Sequence, residues 1–164
     1  MLDFYFSTLT RMAILLAGML CLPALAESQP QAFTENTLAE LEARHRGQPF
    51  VLVLWSVHCA PCFAELDMIG TALTQQPDLA VVVVATDGTA AGEEVRWILE
   101  DYGLDARNTW QFAGDFAEKL RYRIDPDWYG ELPRSYFYDA AGQREGHSGV
   151  ISREQLLGWL GDAS

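Results

Sequence analysis

Two cysteines stand two residues apart in Cys59-Ala60-Pro61-Cys62. A pair at this spacing closes a very small loop, and a short loop stabilises a fold much less than a long one in the chain-entropy picture. Stapling is therefore a poor reason for the pair, and reversible thiol–disulfide exchange is a better one. In that chemistry one thiolate attacks a disulfide, and the second cysteine resolves the mixed disulfide and releases a dithiol. Pro61 suits the first turn of a helix, where its missing N–H costs nothing. If Cys59 stands where a strand passes into that helix, the unpaired N–H groups and the helix dipole favour its thiolate and lower its pKa. Cys62 then lies one turn later, on the same face and deeper.

Other residues are candidates to assist. Glu65 follows Cys62 by three positions, so it shares a helical face with it. A carboxylate there can exchange a proton with the Cys62 thiol. From spacing alone a solvated helix glutamate is the simpler reading, since Glu is rarely buried. His58 precedes Cys59 and reads either as a rim residue or as a charge or metal partner of the thiols. His147 reads as a hairpin residue. Leu132-Pro133 stands before an apolar run, where proline often only marks a strand start. A closed zinc site wants four ligands, and the three scattered histidines do not supply them. A copper-binding chaperone using the reduced pair with His58 or His147 is the reading from another functional class, because soft thiolates suit Cu(I). The wider cysteine spacing of copper chaperones of this kind speaks mildly against it. No Pro-x-x-x-Thr/Ser-x-x-Cys arrangement suggests a peroxidase. No cofactor is called for.

The elements that must position these residues follow from pattern. Thr34 to Arg46 reads as a helix broken by Gly47-Gln48-Pro49. Phe50 to Trp55 is a continuous apolar run, which predicts a central parallel strand buried on both faces. Apolar residues at 63, 66, 69 and 73 recur at helical spacing. Leu79 to Ala85 predicts a second buried strand, ended by Thr86-Asp87-Gly88. Residues 93–102 predict a helix, and 109–113 a short strand. Asp115 reads as the N-cap of a helix running to about Arg123. A loop over 125–132 leads to Pro133. Residues 135–138 and 144–150 read as a hairpin across a turn at 139–142. Ser152 caps a last helix through Leu160. Trp55 reads as core, and Trp128 as loop packing. The order describes an α/β protein, with a central mixed sheet flanked by helices.

The N-terminus carries a different signal. Residues 12–22 form a short apolar run after Arg11, and Pro23-Ala24-Leu25-Ala26 follows. This is the layout of a secretory signal peptide cleaved after Ala26. The run is shorter than the about 20 residues of a bilayer span, so an uncleaved anchor is the less favoured alternative. Cleavage removes Cys21 and leaves Cys59 and Cys62 as the mature chain's whole thiol chemistry. Residues 27–33 then form a leader, and 34–164 one domain. The formal net charge of −12, with Lys119 the sole lysine, argues against a nucleic-acid partner, which needs a basic footprint.

The segment Val51 to Leu66, Val-Leu-Val-Leu-Trp-Ser-Val-His-Cys-Ala-Pro-Cys-Phe-Ala-Glu-Leu, resembles the active-site segment of the TlpA-like branch of the thioredoxin superfamily. Leu132-Pro133 and Tyr136-Phe137-Tyr138-Asp139-Ala140-Ala141-Gly142 resemble its cis-proline, strand and turn. The resemblance runs from about 34 to 161 and includes an extra helix and strand between Glu93 and Ala113, typical of that branch. It implies a thioredoxin fold, with Cys59 as the attacking and Cys62 as the resolving cysteine. It also implies a cis-proline at Pro133 and an assisting carboxylate at Glu65. Ala60, Pro61, His58 and Leu132 would line the substrate groove with Pro133. The implied activity is reduction of disulfides in exported, periplasmic proteins, fed by a membrane-bound thiol donor. Two positions depart from the pattern. His58 stands where the family usually has Trp, and Val53 where plain thioredoxins carry a buried Asp.

Overall fold

A computed structural model of the chain describes residues 29–114 and 116–161. The signal segment 1–26 with Cys21, and the proposed cap Asp115, lie outside the described residues. The elements are β1 (Gln31–Phe33), α1 (Thr37–Arg44), β2 (Phe50–Trp55), α2 (Ala60–Gln75), β3 (Val81–Ala85), α3 (Gly92–Asp101), β4 (Thr109–Phe112), α4 (Ala117–Ile124), β5 (Arg134–Tyr138), β6 (Arg144–Ser148) and α5 (Arg153–Gly161). They form one six-stranded sheet in the order β1-β4-β3-β2-β5-β6. The first four strands of that order are parallel. β5 and β6 run antiparallel.

The continuous apolarity of β2 has the expected cause. Successive side chains on a strand point to opposite faces, and both faces are covered. Val51, Val53 and Trp55 pack with Leu66 and Ile69 of α2, Val95 and Leu99 of α3, and Leu156 of α5. Phe50, Leu52 and Leu54 pack on the other side with Leu41 of α1 and Leu120 and Ile124 of α4. All six β2 residues are buried. Each such side chain contributes about 1.5–3 kcal/mol by leaving water. β2 is thus a firmly held base for the loop that follows it.

Several boundaries differ from the sequence expectation, for identifiable reasons. Residues 31–33, read as part of a loose leader, form the edge strand β1 and pair with Trp110, Gln111 and Phe112 of β4. Three residues show too little periodicity to signal a strand, and Phe33 is held by its partner strand and by the ring of Phe112 at 5.5 Å. α1 begins at Thr37 rather than Thr34, because Thr34 folds back and donates its N–H to Thr37 Oγ1 at 2.9 Å. α4 has Phe116 at its N-cap, without a side-chain capping bond. α5 is capped by a reciprocal pair: Gln155 N–H donates to Ser152 Oγ at 3.1 Å, and Ser152 N–H donates to Gln155 Oε1 at 2.8 Å. This is a capping box.

Gly70 sets how closely α2 approaches the end of α3. A methyl group there would overlap the carbonyl oxygen of Tyr102. That neighbour is backbone, so it cannot swing aside. Gly70→Ala is expected to destabilise by about 1–3 kcal/mol through overpacking, measured by urea denaturation. An unchanged midpoint would show that the two helices separate without cost.

Candidate active site

The two cysteines are built by the passage from β2 into α2. After Trp55 the chain makes a tight turn in which Cys59 N–H donates to Ser56 O at 3.0 Å. Cys59 is the N-cap of the sixteen-residue helix α2, and Pro61 lies in its first turn. Apolar periodicity alone places the start of this helix near Phe63, because Ala60-Pro61-Cys62 contributes capping chemistry rather than an apolar stripe. Cys59 and Cys62 form a disulfide with Cα atoms 5.3 Å apart. The two sulfur-bearing residues differ in access: Cys59 is 8% exposed and Cys62 is 0% exposed. His58, Ala60 and Pro61 are exposed around them.

Glu65 is not the solvated helix residue that spacing alone favours. It is fully buried in α2. Its Oε1 accepts the backbone N–H of Ile151 at 3.2 Å and the hydroxyl of Ser135 at 3.4 Å. Its Oε2 has no hydrogen-bond partner. Burial pushes the carboxyl up to about 7, against the opposing pull of the Ile151 and Ser135 hydrogen bonds. A buried carboxyl that titrates near neutrality can both accept and return a proton at working pH. It sits one helical turn beyond Cys62, under the same sheet. The position that departs from the plain thioredoxin pattern is Val53, which is buried and pairs in register with Ser135. Among the described residues the only fully buried carboxylate therefore comes from the helix rather than from the strand.

The peptide bond between Leu132 and Pro133 is cis. Pro133 O accepts Gly149 N–H at 2.9 Å, which ties the bond to the segment after β6. Leu132 is partly buried and touches both halves of the core. The loop before it is anchored from several sides. Trp128 is buried and its indole N–H donates to Glu131 O at 2.9 Å. Asp125 accepts the Tyr136 hydroxyl at 2.9 Å and pairs with Arg134 at 3.3 Å. The guanidinium groups of Arg134 and Arg144 flank the Tyr136 ring, 4.8 and 5.1 Å from its centre. The residue after the cis bond, Arg134, is thus held by charge, by hydrogen bonds and by an aromatic face.

Sequence reasoning missed three residues here. Ser135 looks like an ordinary strand serine, and only register brings it to Glu65. Asp87, read as part of a turn that ends a strand, reaches across to the turn before Cys59. Gln111 of β4 is 8% exposed and donates to Gly88 O at 2.8 Å, which steadies the Asp87 segment. One available signal was positional: polar residues just beyond the carboxyl ends of neighbouring parallel strands converge on one crevice, and Cys59 and Asp87 both stand there. His147 is half-buried in β6, opposite Ser135. Among the described residues no three or more His, Cys, Asp or Glu side chains gather as a metal site. No described helix is long and apolar enough to cross a membrane.

No family model and no curated protein matches the chain. Solved structures do. DsbF of MTB, in mixed oxidised and reduced forms, is 21% identical with a TM-score of 0.58, covering 74% of this chain and 84% of that one. A secreted Mycobacterium tuberculosis disulfide oxidoreductase homologous to E. coli DsbE is 22% identical with a TM-score of 0.54, covering 73% and 85%. A thiol:disulfide interchange protein of the thioredoxin family from Chlorobium tepidum TLS is 16% identical with a TM-score of 0.60, covering 74% and 83%. At these identities the likeness is one of architecture, and the mixed sheet flanked by helices, with a Cys-x-x-Cys pair at a helix N-terminus and a cis-proline before β5, has the thioredoxin-like fold.

Proposed function

We infer that this protein is an exported thiol–disulfide oxidoreductase that reduces disulfides in periplasmic proteins. The observation that carries this reading is the asymmetry of the cysteine pair: Cys59 caps a long helix and retains 8% exposure, whereas Cys62 is fully buried one helical turn before the buried Glu65. In the reduced protein the Cys59 thiolate, favoured by the helix N-terminus, attacks one sulfur of a substrate disulfide. A mixed disulfide forms and one substrate thiolate leaves. Cys62 then gives its proton to the Glu65 carboxylate and attacks Cys59 Sγ. The bond between Cys59 and the substrate breaks, and the second substrate thiolate leaves. Two electrons pass to the substrate, which becomes a dithiol, and the pair becomes the disulfide seen here.

His58, Ala60 and Pro61 on one side, and Leu132 and Pro133 on the other, are the groove residues in this reading. The exposure of His58, Ala60 and Pro61 around the pair, and the packing of Leu132 against the core cluster that holds both cysteines, support it. The signal-like segment 1–26 supports export, and re-reduction then falls to a membrane-bound thiol donor. The decisive measurement is the reduction potential of the Cys59–Cys62 pair, together with turnover on insulin disulfides. A potential below about −180 mV with insulin reduction is expected. A potential near that of strong oxidants, about −120 mV, would reverse the assigned direction.

A further inference from the structure

The turn that presents Cys59 is held by a carboxylate from the neighbouring strand. Asp87 Oδ1 accepts the Ser56 hydroxyl at 2.9 Å, and Asp87 Oδ2 accepts the Val57 N–H at 3.0 Å. The Ser56 oxygen in turn accepts the His58 N–H at 3.2 Å. One side chain therefore engages the residues that lead into Cys59. The turn also closes on itself, since Cys59 N–H donates to Ser56 O. Chain geometry along this path keeps Asp87 Oδ2 within about 9 Å of Cys59 N. Thr86 reinforces the contact: its N–H and hydroxyl donate to Trp55 O at 2.8 and 3.1 Å. Behind it, the Gln111 amide donates to Gly88 O and, at 3.4 Å, to Asp87 O.

Among the described residues no ion pair balances the charge at this place. Among the described residues no basic side chain lies within ion-pair distance of Asp87. The first turn of α2 carries no acidic residue, and its Ala60-Pro61-Cys62-Phe63 stretch has no basic one. The titratable groups nearest Cys59 along its own segment are the exposed His58 and the buried Glu65 beyond Cys62. The thiolate of Cys59 is therefore subject to two opposed fields, the positive helix N-terminus and the negative Asp87.

We propose that Asp87 is a positioning residue for the attacking thiol, holding the Ser56–Cys59 turn while its fixed negative charge opposes thiolate formation and keeps the pair on the reducing side. The proposal rests on the reading of Cys59 as the nucleophile. A less stabilised thiolate means a less stabilised reduced form relative to strong oxidants, hence a more negative potential. No other side chain described at this turn combines contact with charge.

The test separates the charge from the hold. In a Cys62→Ser background, which isolates Cys59, the thiolate absorbance is titrated with Asp87, with Asp87→Asn and with Asp87→Ala. The Asn oxygen still accepts the Val57 N–H and its amide still meets the Ser56 hydroxyl, so the turn persists without the charge. Asp87→Asn is expected to raise the thiolate fraction below the thiol's midpoint by about three- to tenfold. With both cysteines present it should make the reduction potential less negative, at a nearly unchanged denaturation midpoint. Asp87→Ala should move the titration the same way and also lower the midpoint. A titration unchanged in Asp87→Asn overturns the proposal, as does a shift confined to Asp87→Ala, which would mark a merely structural residue. If instead the native pair reduces no protein disulfide while Asp87→Asn still shifts the Cys59 titration, the functional reading fails and the role of Asp87 stands.

Discussion

Cys59→Ser is expected to lose insulin-disulfide reduction by at least about a thousandfold, equivalent to about 4 kcal/mol of barrier. Cys62→Ser is expected to lose turnover as well, but by a different route. The reason is the unequal burial of the two cysteines. Cys59 caps α2 and retains 8% exposure, whereas Cys62 has none. A serine at 59 leaves no accessible nucleophile, so no covalent adduct with substrate forms. A serine at 62 leaves the attacking thiol intact but removes the group that resolves the intermediate. Mixed disulfides should then accumulate on Cys59 and be visible by mass spectrometry under non-reducing conditions. Adducts trapped instead through Cys62 in the Cys59→Ser protein would invert the assigned roles.

The second large effect concerns Glu65 and has a defined sign. Burial raises its carboxyl from an ordinary 4.5 to about 7 in the folded protein. The folded state thus binds this proton more tightly than the unfolded chain does. The associated stability is fully present below about pH 4.5 and is lost as pH rises to about 7. At 1.36 kcal/mol per unit the loss is about 3 kcal/mol. Glu65→Gln keeps an oxygen for the Ile151 and Ser135 donors but cannot ionise. With the disulfide intact, the drop in unfolding free energy between about pH 5 and pH 8 should therefore be about 2–3 kcal/mol smaller in Glu65→Gln than in the parent. Guanidinium denaturation at the two pH values measures it. Parallel pH profiles for the two proteins would mean that Glu65 does not titrate near neutrality. A companion readout is functional: the resolving step in Glu65→Gln should lose its dependence on pH near 7, because the acceptor for the Cys62 proton is gone.

The same residue shows how sequence and fold divide the information. Glu65 stands one helical turn from Cys62, and that relation is visible in spacing. Whether the carboxyl faces water or core depends on what covers that side of α2. The cover comes from Ser135 and Ile151, which lie 70 and 86 residues further along the chain. Composition around Glu65 carries no trace of them. The edge strand β1 is a similar case. Its three residues acquire strand geometry only by pairing with β4, so local pattern reads them as a leader. Asp87 is the third case: a turn residue by its own segment, and an anchor of the Cys59 turn once β3 lies beside β2.

The features legible from residues alone were those set by neighbours in the chain. Apolar runs identified β2 and β3, since a strand buried on both faces needs apolar residues at every position. The cysteine spacing and Pro61 identified a capped redox pair, because helix capping is a local matter of a few backbone groups. The alternation of helices and strands identified the α/β class, and the likeness of Leu132-Pro133 to a family pattern pointed to the cis bond. Tertiary structure alone decided three things: which cysteine keeps some exposure, whether the nearby carboxylate is stripped of water, and which distant side chains hold the turn before Cys59. Each is a question of desolvation or contact between segments far apart in sequence, and those are created only when the sheet assembles and the helices close over it.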